Sequence, residues 1–237
     1  MQRSRLAVVC GFLGALGVFN AALGPALIHL GALRPFSGFL FFASGLLFGL
    51  LALVLAPFAF GATRAGRRTG RGLVWLGFAC GAVLLLGVGI SRRDASGLPR
   101  INDITTDVAD PPAFPSDPAE MGRDMSYPAG FGPQVKQAYA DLVPIRVSSD
   151  PAQALALAGE TAQGLGWEVV SVEQGSGTLY ARDTSKLFMF VDDIIVRVRP
   201  ADGGGSIVDV RSKSRVGQGD LGANAARIRR FSEKLPR

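Results

Sequence analysis

Histidine and cysteine are almost absent from this sequence, and the few present lie in apolar stretches near the N-terminus. Among 237 residues there is one histidine, His29, and there are two cysteines, Cys10 and Cys80. Residues 101–237 contain neither type. This part of the chain therefore has no zinc site built on Cys or His, no Ser-His-Asp triad, no Cys-His nucleophile and no disulfide framework.

Acidic residues are scarce in the first hundred positions. Residues 1–100 carry ten arginines and one aspartate, whereas residues 101–237 carry fifteen Lys or Arg and eighteen Asp or Glu. The net charge of +6 therefore arises in the N-terminal part, and the C-terminal part is mildly acidic. Because a domain that binds nucleic acid is expected to be basic, we expect no nucleic-acid partner.

Three apolar runs without Asp, Glu, Lys or Arg cover residues 6–30, 38–60 and 73–90. At about 1.5 Å per helical residue, even the shortest run reaches roughly 27 Å, close to the thickness of a bilayer's hydrocarbon core. We therefore expect three transmembrane helices within residues 1–97, with the lipid bilayer as a partner. A cleaved signal peptide is the alternative for the first run, although that run is about twice as long as a usual signal core.

Arginines in the short loops predict the orientation in the membrane. Arg3 and Arg5 precede the first run and Arg34 lies in the first loop. The second loop holds four arginines: Arg64, Arg67, Arg68 and Arg71. Three more arginines follow the third run: Arg92, Arg93 and Arg100. They weaken the difference in arginine number between the two sides of the membrane without reversing it. We expect a multi-pass protein of the bacterial inner membrane with a cytoplasmic N-terminus and a periplasmic C-terminal domain.

Small and polar residues within the runs have two interpretations each. Gly45–Gly49 and Gly77–Gly81 form G-x-x-x-G motifs, which permit close helix packing either inside this chain or in a homo-oligomer. We favour packing inside the chain. His29 is expected at the outer interface, because the runs contain no acidic partner for a proton relay.

Residues 98–141, called the strap below, are rich in proline and aspartate. Seven prolines between Pro99 and Pro133 predict extended chain rather than a continuous helix or central strand. We expect the strap to lie along the folded domain, anchored by its apolar residues: Ile101, Ile104, Phe114, Tyr127, Phe131 and Tyr139. Its acidic residues Asp103, Asp107 and Asp110 lack the spacing of a calcium loop, so Asx turns are the simpler interpretation and no metal site is assigned.

Short alternating segments separated by glycine turns follow in residues 142–237. The pattern predicts strands at 142–147, 167–173, 178–183, 188–199 and 207–213. A helix is predicted after Asp150-Pro151 and another after Asp220. The last helix is expected to pack through Leu221, Ala225, Ile228 and Leu235. The order β-α-β-β-β-β-α predicts an α+β fold, an antiparallel sheet with two helices on one face, similar to the helix-grip arrangement.

The best candidate binding site combines the last strand with the last helix. The strand contributes Arg211 and Arg215, and the helix contributes Asp220, Asn224 and Arg227 at positions i, i+4 and i+7. One interpretation is a pocket in which arginine forks and the helix N-terminus hold an anionic small molecule or lipid headgroup. The other is an internal network that joins strand to helix or binds the strap. We favour the internal network, because Asp220 caps the helix and partly cancels the arginine field.

Two catalytic constellations are weaker candidates. Asp192 and Asp193 resemble a carboxylate pair, but adjacent strand residues point to opposite faces unless a bulge intervenes. Ser212 or Ser214 would need Lys213 or Lys186 as a base, and Lys213 points away from both serines in an extended strand. We therefore assign no catalytic residue and no cofactor.

Three segments of the C-terminal part are distinctive: FVDDIIVRVRP at 190–200, VDVRSKSRVGQGDLGANAARIRRF at 208–231, and INDITTD followed by PPAF upstream. They resemble a known domain family of unknown function, DUF1499. The resemblance covers roughly residues 99–235, and the SRxGxxDLGxNxxRI match is specific. It implies a bacterial family often found behind membrane segments, with no established activity and no catalytic residues to transfer.

Three hypotheses for the function follow. In the first, the chain is a membrane-anchored envelope protein whose domain is a non-catalytic module for an anionic ligand or an envelope partner. In the alternative, the domain is a hydrolase or transferase that uses carboxylate and arginine chemistry on a sugar or phospholipid, which requires Asp192 or Asp193 in an open cleft. In the third, the helices bind the partner and the domain only reports that binding or caps the helices.

Overall fold

The computed structural model describes residues 2–64, 68–91, 96–115 and 124–237. The chain divides into two compact units. The helical unit comprises residues 1–96 and 186–189, and the sheet domain comprises residues 97–185 and 190–237. Three of the arginines counted to predict the membrane orientation lie outside the described residues: Arg67, Arg92 and Arg93.

The described part of the helical unit contains three long helices, α1 (Arg5–His29), α2 (Pro35–Ala62) and α3 (Arg71–Ser91). All three are long and apolar enough to cross a membrane. The Ser4 hydroxyl caps α1 by accepting the backbone N–H of Ala7 at 3.4 Å. Pro35 occupies the first position of α2, where no intrahelical N–H bond is lost. The predicted candidate membrane spans are confirmed.

Glycines of both G-x-x-x-G motifs lie where the helices of this unit meet. A Cβ added at Gly45 would lie 2.5 Å from the carbonyl oxygen of Gly17, and one added at Gly49 would touch Gly81. The Cβ of an alanine at Gly14 would lie 2.6 Å from the Cα of Gly77. These motifs are therefore used for packing within the chain, since only glycine allows the backbones to approach so closely.

Within its described residues, the sheet domain has six strands and three helices. The strands are β1 (Asp103–Thr105), β2 (Ile145–Val147), β3 (Glu168–Glu173), β4 (Thr178–Thr184), β5 (Val191–Pro200) and β6 (Ser206–Ser214). They form an antiparallel sheet in the order β1-β6-β5-β4-β3, and β2 also pairs with β6. The helices are α4 (Phe131–Ala138), α5 (Pro151–Gly164) and α6 (Ala223–Lys234). The predicted α+β fold with an antiparallel sheet is confirmed.

Helices α5 and α6 cover one face of the sheet, called the helix face below. Asp150 begins α5 as predicted, because its carboxylate accepts the backbone N–H groups of Ala152 and Gln153. The Trp167 ring stacks on Phe231 of α6 with 5.3 Å between centroids. The core between helices and sheet contains mainly aliphatic residues: Leu155, Ala158, Leu179, Ile194, Val196, Val208, Val210 and Ile228.

Part of the strap lies against the opposite face, called the strap face, where Phe114 packs on Tyr180 and Ile195. Three of its other apolar residues are instead buried in the main core on the helix face: Ile101, Ile104 and Tyr139. The strap is not extended throughout, because it contributes the edge strand β1 and the short helix α4. Strand β1 falls in a stretch without proline, and Pro133 is tolerated in the first turn of α4, where its missing N–H costs no helical bond.

Three predicted element boundaries are wrong: that of β2, which begins at Ile145 rather than 142, and two that concern expected core residues. Strand β5 begins at Val191 rather than 188, so Phe188 and Phe190, which have the spacing of its core face, lie in the β4–β5 connection. Helix α6 begins at Ala223, so Leu221 precedes it and is 58% exposed, while Phe231 occupies the buried stripe. In both cases an apolar residue in a connection has the spacing of a core residue, and sequence spacing does not show where strand pairing or helix bonding stops.

Candidate functional site

Arg211 joins the last strand to the strap. Its side chain is 2% exposed, and two of its nitrogens donate to the Asp103 carboxylate at 2.9 and 2.8 Å. The carbonyl oxygens of Pro112 and Met125 accept further bonds at 3.0 and 2.8 Å. The guanidinium also lies over the rings of Phe114 and Tyr127, at 4.7 and 5.2 Å from their centroids. All of these contacts to Arg211 come from residues of its own chain.

A second cluster on the strap face was not predicted residue by residue. The buried Asp209 carboxylate accepts from Arg197 at 2.9 Å and from Arg199 at 2.9 Å. Both arginines also reach the Asp107 carboxylate, and Arg197 pairs with Asp110 at 2.8 Å. Asp107 forms the predicted Asx turn by accepting the backbone N–H of Ala109 at 3.1 Å. The sequence signal for this cluster was the excess of acidic residues before residue 174 and of basic residues after it.

Arg215 forms a third cluster on the strap face. Two of its nitrogens donate to the Asp193 carboxylate at 2.8 and 2.6 Å. The Tyr180 hydroxyl donates to the same carboxylate at 2.6 Å and accepts from Arg182 at 3.2 Å. Burial, together with the bond to Asp193, raises the pKa of Tyr180. Asp193 is 1% exposed, so this group is enclosed.

Arg227 holds α6 to the sheet on the helix face. It donates to Asp183 at 2.7 Å and to Asp192 at 2.6 Å, two residues that are direct neighbours across β4 and β5. A third nitrogen donates to Ser212 at 3.0 Å and to Asn224 at 2.7 Å. Burial raises the pKa of Asp192, and the Arg227 charge opposes that rise.

The remaining predicted residues complete this network. Asn224 is fully buried; its side chain accepts from Ser212 at 2.6 Å and donates to Ser214 at 2.9 Å. The Asp220 carboxylate accepts the backbone N–H groups of Gly222 and Asn224 at 2.9 and 2.8 Å. It therefore satisfies the N-terminus of α6, although Gly222, at φ 86°, is the residue that directly precedes the helix.

The sequence candidates are thus divided between two faces. Arg227, Asn224 and Asp192 lie together on the helix face, whereas Arg211, Arg215 and Asp193 lie on the strap face. Strand β5 keeps a continuous register with both neighbours, so no bulge brings Asp192 and Asp193 to one side. Lys213 likewise lies on the strap face, 3.3 Å from Asp103, away from the serines on the helix face.

Surface clefts occur elsewhere in the sheet domain. Two adjoining clefts of about 180 and 320 Å³ share Asp141, Val143 and Ser232. We call their joint surface the Val143 cleft; its other polar lining residues are Thr106, Arg146, Arg229, Glu233 and Arg237. A groove of about 370 Å³ lies between Val108, Tyr127 and Lys136. None of the five predicted site residues lines any of these three clefts.

Sequence reasoning missed the Val143 cleft because residues 142–147 have the pattern of one strand. Strand β2 begins only at Ile145, which leaves the Val143 side chain 59% exposed. Within the cleft, Arg229 donates to Asp141 at 2.8 Å, and this bond is the main reason that the pKa of Asp141 is lowered. Arg146 is exposed. The surface therefore combines an apolar side chain with three arginines and two carboxylates: Arg146, Arg229, Arg237, Asp141 and Glu233.

Comparison with known proteins identifies the C-terminal part. No curated protein matches the chain. The family described as "Protein of unknown function (DUF1499)" matches residues 103–235, from β1 to the end of α6. This match spans more than half of the chain, and so the chain belongs to the DUF1499 family.

Proposed function

We propose that this protein is a membrane-anchored envelope protein whose sheet domain is a non-catalytic interaction module. The observation that carries the proposal is the internal use of the three candidate arginines. Arg211, Arg215 and Arg227 all bind carboxylates of their own chain. A binding site for an external anion needs arginines with free donors, whereas these hold the domain together.

The enzymatic alternative has less support. It needs a carboxylate in an open cleft, but Asp193 is 1% exposed and Asp192 is 9% exposed, and each is bound to an arginine. A raised pKa does point to function in some carboxylates. For Asp192 the rise has a structural cause, because burial under α6 disfavours the charged form.

The Val143 cleft is the surface that best fits a partner. It offers an exposed apolar side chain, Val143, and an exposed cation, Arg146. Interfaces of proteins commonly combine an apolar contact with arginine at the rim. We assign to this cleft an acidic, partly apolar segment of another envelope protein, which is the anionic partner of the first hypothesis.

The proposed location is the bacterial inner membrane, with the N-terminus in the cytoplasm and the sheet domain in the periplasm. Three candidate spans and the larger number of arginines at the cytoplasmic ends support this orientation. Alkaline phosphatase fused after Arg237 is expected to be active, and green fluorescent protein at the same position is expected to be dark. The opposite pair of results would place the domain in the cytoplasm.

Site-specific photo-crosslinking in cells tests the interaction module. A photoreactive residue at Val143 is expected to crosslink a defined partner, and one at exposed Asp202, in the β5–β6 turn, is not. Arg146→Glu is expected to reduce the Val143 crosslink at least tenfold while leaving the unfolding temperature unchanged, because it removes the exposed cation. Equal crosslinking at 143 and 202, or no effect of Arg146→Glu, would reject the cleft as the partner site.

A further inference from the structure

One end of the helical unit carries exposed arginines without acidic partners. Helices α1 and α3 begin at this end and α2 ends here, since α1 runs parallel to α3: a Cβ added at Gly11 would meet Leu73, and one added at Gly14 would meet Gly77. Residues 1–93 contain no Asp or Glu, so no carboxylate of the three helices or of their loops neutralises this end. Its described arginines are all exposed: Arg3, Arg5, Arg64, Arg68 and Arg71.

Backbone hydrogen bonds hold the N-terminal tail against the α2–α3 loop. The Ser4 N–H donates to the Thr69 carbonyl oxygen at 2.9 Å, and the Thr69 N–H donates to the Gln2 carbonyl oxygen at 3.2 Å. Arg3 is thereby paired with Thr69 in a short parallel bridge. The two arginine-bearing segments are therefore fixed side by side, and their positive charge is concentrated in one place.

Two of these arginines occupy the first position of a helix. A helix N-terminus carries a partial positive charge, which an acidic residue in the first turn usually offsets. Helix α1 begins with Arg5 and α3 begins with Arg71, and neither first turn contains an acidic residue. In the sheet domain, by contrast, the carboxylates of Asp150 and Asp220 accept N–H groups at the start of α5 and α6. The arginines thus add to the positive helix ends, and together they favour an anion from outside the chain.

An aromatic cluster beside the arginines indicates the depth of this end in a bilayer. The Arg71 guanidinium lies over the Phe60 ring, 5.8 Å from its centroid, and Phe60 packs edge-on against Trp75 with 4.8 Å between centroids. Trp75 is 54% exposed. Tryptophan near the end of a membrane span typically lies in the interfacial layer, with its apolar ring toward the acyl chains. The neighbouring arginines are therefore expected at the level of the lipid phosphates.

We propose that this end of the helical unit binds an anionic phospholipid of the bilayer that α1–α3 cross. The arginines of the tail and of the α2–α3 loop donate to the lipid phosphate, and the exposed Trp75 ring contacts the acyl chains. Lipid is the occupant because the cations adjoin an exposed apolar ring on a membrane-spanning helix, whereas a soluble anion would use the cations alone. The inference goes beyond the proposed function. It depends on α1–α3 crossing a bilayer and not on the sheet domain or the Val143 cleft.

Quenching of Trp75 by brominated lipids tests the proposal in the full chain reconstituted in phosphatidylcholine liposomes. Bromine on the acyl chains quenches tryptophan at short range, so equal amounts of brominated phosphatidylglycerol and brominated phosphatidylcholine compare an anionic with a neutral neighbour. The anionic lipid is expected to quench about twofold more strongly, because the arginines attract it. Both leaflets contain the brominated lipid, so the readout does not depend on orientation. The excess is expected to disappear in Trp75→Phe, and its persistence there would assign the signal to Trp167 and reject the site.

Single substitutions locate the bound lipid. Arg3→Gln in the tail and Arg71→Gln at the start of α3 are each expected to reduce the excess quenching about twofold. Arg34→Gln is the matched control, because Arg34 is exposed at the opposite end of the helical unit, where α2 begins. It is expected to leave the excess unchanged. Circular dichroism checks that each variant stays helical, and should Arg71→Gln lose helicity, Arg68→Gln probes the same site.

Three further outcomes would overturn the proposal. Equal quenching by the two brominated lipids would show that the arginines only orient the protein in the membrane. An equal loss in Arg34→Gln would show attraction by the net charge rather than binding at a site. Loss of the excess on adding millimolar glycerol phosphate at constant ionic strength would show that the arginines take a soluble phosphate instead of a lipid.

Discussion

Arg211 and Asp103 are 108 residues apart in the chain and form a buried pair through two hydrogen bonds of 2.9 and 2.8 Å. The pair lies between the last strand and the strap, which enters the sheet as β1. The strap is therefore an integral part of the sheet domain rather than a spacer, because its acidic residues pair with arginines of the strap face. Arg197 and Arg199 also pair with strap carboxylates, whereas Arg215 pairs with Asp193 of β5.

Breaking the buried pair is expected to be costly. Arg211→Met leaves Asp103 buried with Lys213 as its remaining cation at 3.3 Å, so we expect a loss of about 3–5 kcal/mol in the free energy of unfolding. The measurement is urea unfolding followed by Trp167 fluorescence in a Trp75→Phe background. The control is Arg229→Met, whose pair with Asp141 is 40% and 55% exposed and whose loss is expected to cost about 0–1 kcal/mol.

A double variant separates the ion pair from packing. Adding Asp103→Asn to Arg211→Met removes the unpaired buried charge and is expected to recover part of the loss. Equal effects of Arg211→Met and Arg229→Met, or no recovery in the double variant, would contradict the role assigned to this pair.

Asp192 is expected to reduce the stability of the fold as the pH rises, which is the opposite of the usual effect of an aspartate. Because burial raises its pKa in the fold, the folded state holds the proton more tightly than the unfolded state. Its stabilising contribution is present below the ordinary aspartate pKa of about 3.9 and is lost as the pH rises through the folded value. The stability of Asp192→Asn relative to wild type is therefore expected to increase as the pH rises above about 4.

Urea unfolding between acidic and neutral pH measures this difference. Asp141→Asn is the control with the opposite sign. Arg229 lowers the pKa of Asp141, so its contribution is present above the ordinary value and is lost as the pH falls. Parallel pH curves for Asp192→Asn and wild type would show that burial does not govern the ionisation of Asp192.

Two buried tyrosine hydroxyls are expected to differ in their contribution to stability. The Tyr180 hydroxyl donates to Asp193 at 2.6 Å, so Tyr180→Phe is expected to cost about 1.5–3 kcal/mol. The buried Tyr127 hydroxyl has no partner among the described residues, so Tyr127→Phe is expected to stay within about 1 kcal/mol of wild type. Urea unfolding of both variants at neutral pH checks the contrast, and a larger loss for Tyr127→Phe would contradict it.

Alkaline pH provides a second check on Tyr127. Burial raises the pKa of Tyr127 to about 12, so its contribution to stability is present below the ordinary tyrosine pKa of about 10 and is lost as the pH rises toward 12. Tyr127→Phe lacks this loss. Its stability relative to wild type is therefore expected to improve above pH about 10.

Much of the fold was predictable because it depends on neighbours in the sequence. The apolar runs are long enough to become α1–α3, and Asp150 caps α5 through bonds to the next residues. Gly175 and Gly177 lie in the connection from β3 to β4, and Gly203–Gly205 lie in the connection from β5 to β6. Strand β1 was not predicted, because three residues in a proline-rich segment have no pattern of their own and pair only when β6 is present.

The candidate site was predicted as a set of residues but not as a geometry. The interpretation of an internal network agrees with the pairs of Arg211 and Arg227, yet their partners Asp103 and Asp183 were not among the candidates. Leu221 was assigned to the core and is exposed, because the spacing that places it on the α6 stripe does not show that the helix begins two residues later.

By itself the sequence determined the three apolar helices, the α+β class, the family and the absence of histidine and thiol chemistry from residues 101–237. These properties follow from composition and from interactions over a few residues. The tertiary structure decided which charges meet, which face of the sheet each arginine occupies and which apolar residues stay exposed. Ion pairs such as Arg211–Asp103 form between segments about a hundred residues apart, and only strand register and packing bring those atoms within hydrogen-bond distance.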